Sequence, residues 1–504
     1  MTSRPTLNYD ILLEVAAASS WDTSAALLDT CRFLHLEGPR VLLRSPVRLD
    51  TEETLLRFLA FLRRALDGRR YQSVREIHLA LDAMAAATSS GLVSALTLMH
   101  NLSSLGIHES ERLFCAFPSL LHATAALTSL RKLRLRGGGE HTLKFLRSSQ
   151  SKFTSVHTSF HGENYVSGLF DQRVTLQPQY HPAVLLDNSR YTLQDLKCER
   201  WHTHSDVMPD PRLVYPDMRR LTMNYTSFPP ITGSLIRAYP KLTYLSIHTG
   251  EGDCSEDAYE DDRYAGYREK NVLTQALPGC SWMQLDEYVG PLVDCYVLGL
   301  TCVIERLELR SLHPGHHFML GTVLSCARPR HLVFTSWPSL LEPSIEPSDA
   351  FYGRGTSRLE SLTLNCRLSG YEMGECVDVA EMLEGLMASL GHAPLRSLKL
   401  TISMYDLDPT PDEQFSDSEL LPEISGEYTP PPADPEDYPL LLAEQSADEF
   451  DLADYVRRFA RLVPTLQTAK VCIEGLREKC KTAKLKDGEV QFRVLDGPSE
   501  SDIE

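Results

Sequence analysis

A chain of 504 residues with 42% apolar side chains can bury a large core and suits either several domains or one long repeat array, which excludes a disordered tail. Its net charge of -18 is localised: residues 406–454 hold 16 acidic side chains and no Lys or Arg, leaving about -2 for the rest. That near-neutral remainder offers neither the basic face that nucleic acid requires nor a polybasic surface for anionic lipid.

The 12 cysteines include no C-x-x-C pair, and several, such as Cys295 and Cys302, sit in apolar runs as small hydrophobes. No signal-like segment opens the sequence, and the most apolar stretch, 291–304, contains Asp294 and is too short for a bilayer. A soluble cytoplasmic or nuclear protein with reduced thiols and no membrane partner is predicted.

In chain order, the first predicted elements are short helices. Asn8 caps the first, with Leu7, Ile11, Leu12 and Val15 on one apolar stripe. Asp22 or Thr23 caps the second, whose stripe is Leu27, Leu28 and Cys31. The stretch "RFLHLEGPRVLL", with Leu34 and Leu42, should bend or break before Pro39, because proline removes an amide donor and clashes with the preceding turn. A bundle of about forty residues is marginal alone and needs something to pack against. Next, "DTEETLLRFLAFLRRALDG" predicts a helix with a capping box at Asp50 and Glu53. Its face is Leu55, Phe58, Leu59, Leu62 and Leu66, and its stop is Gly68.

A helix followed by a β-like run then recurs. The runs start at Val74, Leu102, Leu127, Phe153, Leu193, Met218, Leu242, Ile304, Arg330, Leu359, Leu395 and Leu466, many at intervals in the leucine-rich-repeat range. In L-x-x-L-x-L the last two apolar residues share one face of a short strand and the first fills the turn before it. Each unit leaves that face bare unless the next stacks on it, so the reading is an irregular solenoid with a curved parallel sheet. Helices at 378–391 and 453–463 would cover its outside. The repeats carry no asparagine ladder, since Gly138, Gly250 and Arg367 stand where Asn or Cys would be. An acidic insertion, "EGDCSEDAYEDD", precedes "SWMQLDEYVGPLVDCYVLGL", whose spacing reads as helix, and residues 404–447 read as a disordered acidic, proline-rich excursion.

Motifs with a chemical look fail on spacing. "HPGHH" at 313–317 and "HTHS" at 202–205 lack metal-ligand partners, and "RLRGGGEH" lacks the phosphate-loop lysine and reads as a turn. The acidic insertion lacks the EF-hand glycine and glutamate, and "KCKTAKLK" at 479–486 reads as ordinary surface lysines. No catalytic, cofactor-binding or metal-ligating residue is therefore nominated.

The N-terminal segments "DILLEV" at 10–15, "ALLDTCRFL" at 26–34 and "RVLL" at 40–43 resemble an F-box, with Leu7 and Asn8 where that family usually has Leu-Pro. The whole chain is similar to F-box-like, repeat-bearing proteins abundant in fungi. The resemblance implies an α/β architecture: an F-box-like helical module over 1–45, a solenoid over 46–403, the excursion over 404–447 and a capping helix and strand over 448–504. It also implies a non-enzymatic substrate adaptor of a cullin-RING ubiquitin ligase. Leu7, Ile11, Leu12, Val15, Leu27, Leu28, Cys31, Leu34 and Leu42 would then include the residues that dock a Skp-type linker and, through it, a cullin. The repeats would recruit an unknown target protein through outward positions such as Arg131, Arg134, Arg306 and Glu308. The alternative is a leucine-rich-repeat interaction scaffold without ligase association, its first forty residues serving as a solenoid cap.

Overall fold

The structure, a computed structural model, describes residues 8–19, 21–28, 30–64, 68–81, 83–160, 180–201, 212–226, 231–249, 261–312, 317–336, 351, 354–369, 377–407, 440–476 and 479–496. Contacts divide the chain into two units, Met1–Leu242 with His248–Tyr259, and Thr243–Ile247 with Glu260–Glu504. Both are mixed α/β with mostly parallel strands. Among the described residues no helix is long and apolar enough to cross a membrane.

The first unit opens with α1 (Tyr9–Ala18), α2 (Trp21–Leu28) and α3 (Arg32–Leu42), packed on one another. Asn8 caps α1 as the sequence predicts, accepting the Asp10 amide at 3.1 Å. Helix α2 begins at Trp21, so Asp22 and Thr23 lie in its first turn and do not cap it. The expected break at Pro39 is absent: α3 runs through it. Pro39 stands in the last turn, where it removes a single helical hydrogen bond. It and Gly38 are both buried, so packing outweighs that loss.

Strand β1 (Val47–Leu49) leads to α4 (Glu52–Arg63) and α5 (Arg69–Ser73). The capping box lies one residue later than Asp50 and Glu53, with the Thr51 and Thr54 side chains each accepting the other's amide at 3.2 Å. Leu55, Phe58, Leu59 and Leu62 are buried as the periodicity requires, and Leu66 lies outside the described residues. Gly68, at φ 69°, opens α5 and does not end α4. The remaining elements are β2 (Glu76–Leu79), α6 (Ala86–Leu96), β3 (Ser104–Ile107), α7 (Ser110–Ala116), α8 (Pro118–Ala125), β4 (Lys132–Gly138) and α9 (Glu140–Ser148). After them come β5 (Ser155–Phe160), α10 (Pro182–Leu185), β6 (Asp195–Glu199), β7 (Arg220–Thr226) and α11 (Thr232–Ala238). The glycines at 137–139 belong to these elements: β4 reaches Gly138, and Gly139 precedes the first residue of α9.

Strands β1 to β7 pair in chain order, all parallel. The pairing puts Ile77, Leu105, Leu133, Val156, Leu196 and Leu221 side by side, each 3% exposed or less. Leu79, Ile107, Leu135, Thr158, Cys198 and Met223 form a second buried row two residues on. Helices α4, α6, α8 and α9 pack in succession, and α7 and α9 lie on β4. Each buried leucine contributes about 1.5–3 kcal/mol over leaving it in water, so the two rows form the backbone of this core.

The second unit begins with β8 (Tyr244–Thr249), α12 (Asp261–Gln275), β9 (Gln284–Pro291), α13 (Leu292–Leu298), β10 (Val303–Leu312), α14 (His317–Ala327) and β11 (His331–Ser336). It continues with β12 (Ser361–Ser369), α15 (Val379–Leu390), β13 (Ser397–Asp406), α16 (Leu442–Glu449), α17 (Leu452–Leu462), β14 (Thr468–Leu476), β15 (Lys479–Lys486) and β16 (Glu489–Asp496). Strands β8 to β14 are parallel, and Leu245, Tyr288, Leu307, Leu332, Leu362 and Leu398 form a buried row.

Every one of the twelve apolar runs carries a strand of these parallel series. Four expectations change. The first half of the segment read as helix is β9, where Tyr288 and Val289 are both buried and break strict alternation. A Cβ at Gly290 would overlap the Ile247 carbonyl, so glycine alone fits there. Both ends of the span expected to be an excursion are ordered elements instead, because β13 extends to Asp406 and α16 starts at Leu442; the rest of that span, residues 408–439, lies outside the described ones. The last two strands are antiparallel, and "KCKTAKLK" is β15, with Cys480, Thr482, Ala483 and Leu485 buried.

Candidate interaction surfaces

The three N-terminal helices divide the nominated apolar residues by role. Leu28, Leu34 and Leu42 are internal, at 5%, 1% and 6% exposure. Ser24 ties α2 to α1 by donating its hydroxyl to the Ala16 carbonyl at 2.6 Å. Gly38 sits against Leu28 so closely that a Cβ there would overlap the Leu28 Cδ2. Ile11 and Val15, one turn apart on α1, face solvent at 50% and 46%. Leu12, Leu27 and Cys31 are half-buried, and Leu7 lies outside the described residues.

Two exposed apolar residues were missed. Tyr9 is open to solvent with its ring 4.4 Å from that of Phe33. Leu36 is 75% exposed and lines a recess with Leu28, Thr30, Cys31, Arg32 and His35 at the α2–α3 elbow. The signal that would have found Leu36 is its phase: Leu34, Gly38 and Leu42 repeat every four residues, and Leu36 falls on the opposite side.

On the sheet of the first unit the residues between the buried rows point the other way. The pairing aligns His78, Gly106, Arg134, His157, Lys197 and Thr222 in one outward row. The Arg134 Nε donates to His157 Nδ1 at 3.2 Å, His157 Nε2 lies 3.4 Å from Glu199, and Lys197 reaches Glu199 at 2.6 Å. Burial, aided by the Lys197 and Arg134 charges and opposed by Glu199, lowers the His157 pKa from its ordinary value. A neutral ring is also what accepting the Arg134 proton at Nδ1 requires. Arg131, nominated as outward, instead precedes β4 and donates to the carbonyls of Thr128, Leu130 and Lys152 at 3.2, 2.9 and 3.4 Å.

The second unit presents a row of paired charges. Arg306 reaches Glu287 at 3.1 Å and Glu308 at 3.6 Å, and Arg310 reaches Glu308 at 2.9 Å. At the strand entries Glu305 accepts from Arg330 and Arg358 at 3.5 and 3.2 Å, and Glu360 from Arg330 at 3.0 Å. Such mixed-sign, solvent-facing pairs contribute little to stability. Of the motif candidates, "HTHS" at 202–205 lies outside the described residues. So do residues 313–316 of "HPGHH" and 250–260 around the acidic insertion. No protein-family model matches this chain, and no curated protein matches it.

Proposed function

We propose that the chain is a substrate-recognition adaptor of a cullin-RING ubiquitin ligase, in which α1–α3 dock a Skp-type linker and an irregular leucine-rich-repeat solenoid recruits the target. The observation that carries this reading is the exposure of Ile11, Val15 and Leu36 on a helical module whose own core, Leu28, Leu34 and Leu42, is already filled. Exposed aliphatic residues on a packed bundle have no internal role and supply what a helix-in-groove partner binds. The twelve leucine-rich runs, each on a strand paired in chain order, support the solenoid. Their outward polar rows would read the target. On this reading the chain performs no covalent chemistry, and it works in the cytoplasm or nucleus, where cullin ligases act.

A second reading has its own support. Helix α3 also packs against α5, so the module covers part of the next element and would serve as a cap on an interaction scaffold.

A pull-down of the full chain with purified linker and cullin separates the two. Ile11→Asp should weaken linker capture by about 2 kcal/mol, roughly thirtyfold, while the melting temperature stays unchanged, because the side chain is half exposed. Leu34→Asp, in the module core, should lose both. Capture by neither would sink the adaptor reading and leave the scaffold, and equal capture of wild type and Ile11→Asp would refute docking through the exposed face of α1.

A further inference from the structure

Strands β14 and β15 pair antiparallel with Cys472 opposite Thr482 and Glu474 opposite Cys480. Residues two apart share a face, so the four side chains converge on one side of the sheet. Cys472 Sγ lies 3.3 Å from Cys480 Sγ, 3.4 Å from Glu474 Oε1 and 3.1 Å from Thr482 Oγ1, and Cys480 Sγ lies 3.6 Å from the same hydroxyl. Both thiols are fully buried, and Glu474 and Thr482 are each 8% exposed.

The spacing has a chemical meaning. A tetrahedral zinc-type ion binds thiolate at about 2.3 Å and carboxylate at about 2.0–2.2 Å, which places the ligand atoms about 3.6–3.8 Å from one another. The observed separations are within about half an ångström of that, and the two sulfurs and the carboxylate oxygen lie within 4.8 Å of one another. We propose that Cys472, Cys480 and Glu474 form a binding site for a thiophilic divalent cation of the zinc class, with the Thr482 hydroxyl or water as fourth donor. Loading releases the two thiol protons to solvent and leaves a net charge of about -1 on the site. Lys470, Lys484 and Arg493 line the recess beside Cys480 and Thr482. The sequence hides the site because seven residues separate the cysteines, a spacing of no zinc-finger type. The antiparallel register alone brings them together.

The test is Co2+ titration of the reduced full-length chain. One equivalent should produce thiolate-to-cobalt charge-transfer absorption that Zn2+ abolishes, and Zn2+ should raise the melting temperature. Cys472→Ser and Cys480→Ser should each remove the absorption while keeping the wild-type circular dichroism. Glu474→Gln should weaken Co2+ by about tenfold or more. Cys366→Ser, a buried cysteine on β12, should change nothing. Absence of the absorption in a chain whose thiols titrate fully after denaturation would overturn the site, as would its persistence in Cys472→Ser. Recovery of a Cys472–Cys480 disulfide that no reductant-treated, Co2+-binding form replaces would overturn it in favour of a redox pair.

Discussion

At the scale of single residues, His181 shows how a fold sets a proton equilibrium. Its Nδ1 accepts the Ala183 amide at 3.1 Å and so caps α10, and burial lowers its pKa from 6.5 to about 4. The folded chain therefore refuses a proton that the unfolded chain takes up as pH falls through 6.5. Stability should be flat above that value and decline between about 6.5 and about 4. The loss is at most about 3 kcal/mol, and less for the part of the ring still open to water. His181→Asn keeps an acceptor for the cap and removes the titration. Urea melts of both chains at pH 7.5 and 5 should diverge only at the lower pH; parallel declines would refute the assignment.

At the scale of elements, one hydrogen-bond arrangement recurs at the entries of several parallel strands. A carbonyl in one strand entry accepts two successive amides from the next: Arg75 from Ser103 and Ser104, Ser103 from Arg131 and Lys132, and Gln194 from Arg219 and Arg220. In the second unit Glu360 accepts from Arg396 and Ser397, and Arg396 from Gln467 and Thr468. All ten bonds are 2.7–3.0 Å long. The apolar phase of L-x-x-L-x-L predicted where these strands lie, because side-chain burial has a sequence period. The shared carbonyls have none, being main-chain groups whose residue type varies freely.

Helix caps were hidden for a related reason. Helix α9 starts after Gly139, which has no side chain to offer, and its cap comes from the buried Glu111 on α7. Glu111 accepts the His141 and Thr142 amides at 3.1 Å each and the His141 ring at 2.8 Å. A Cβ at 139 would collide with that carboxylate, so the glycine makes room for it. Glu111→Ala should strip a buried and a half-buried amide of their acceptor and lower stability by about 2–3 kcal/mol, measured by urea unfolding. Gly139→Ala should be comparably damaging, by displacing the carboxylate. A tolerated Glu111→Ala would mean that water caps the helix instead.

At the scale of the whole chain, what the sequence revealed and what it concealed follow from range. The twelve runs and the two amphipathic helices at Val379–Leu390 and Leu452–Leu462 were readable from local periodicity. Strand β9, the antiparallel end and the division of the nine module residues into core and surface depend on partners distant in sequence. At this scale the N-terminal module is a candidate docking unit and a candidate cap.

Its contacts give a direct test. Helix α3 packs on α5, and Leu42, Leu43 and Val47, at 6%, 0% and 4% exposure, link the bundle to the first strand. Deleting residues 1–45 should therefore uncover apolar surface at that end of the first unit and cost about 1–3 kcal/mol, a fall of about 2–4 °C per kcal/mol in melting temperature. Ile11→Asp, at a half-exposed position of α1, should leave the melt unchanged. If the deletion melts like wild type, the module is not a cap of the first unit. If the deletion unfolds and Ile11→Asp alone loses the linker, the same forty residues both close the first unit and present its partner surface.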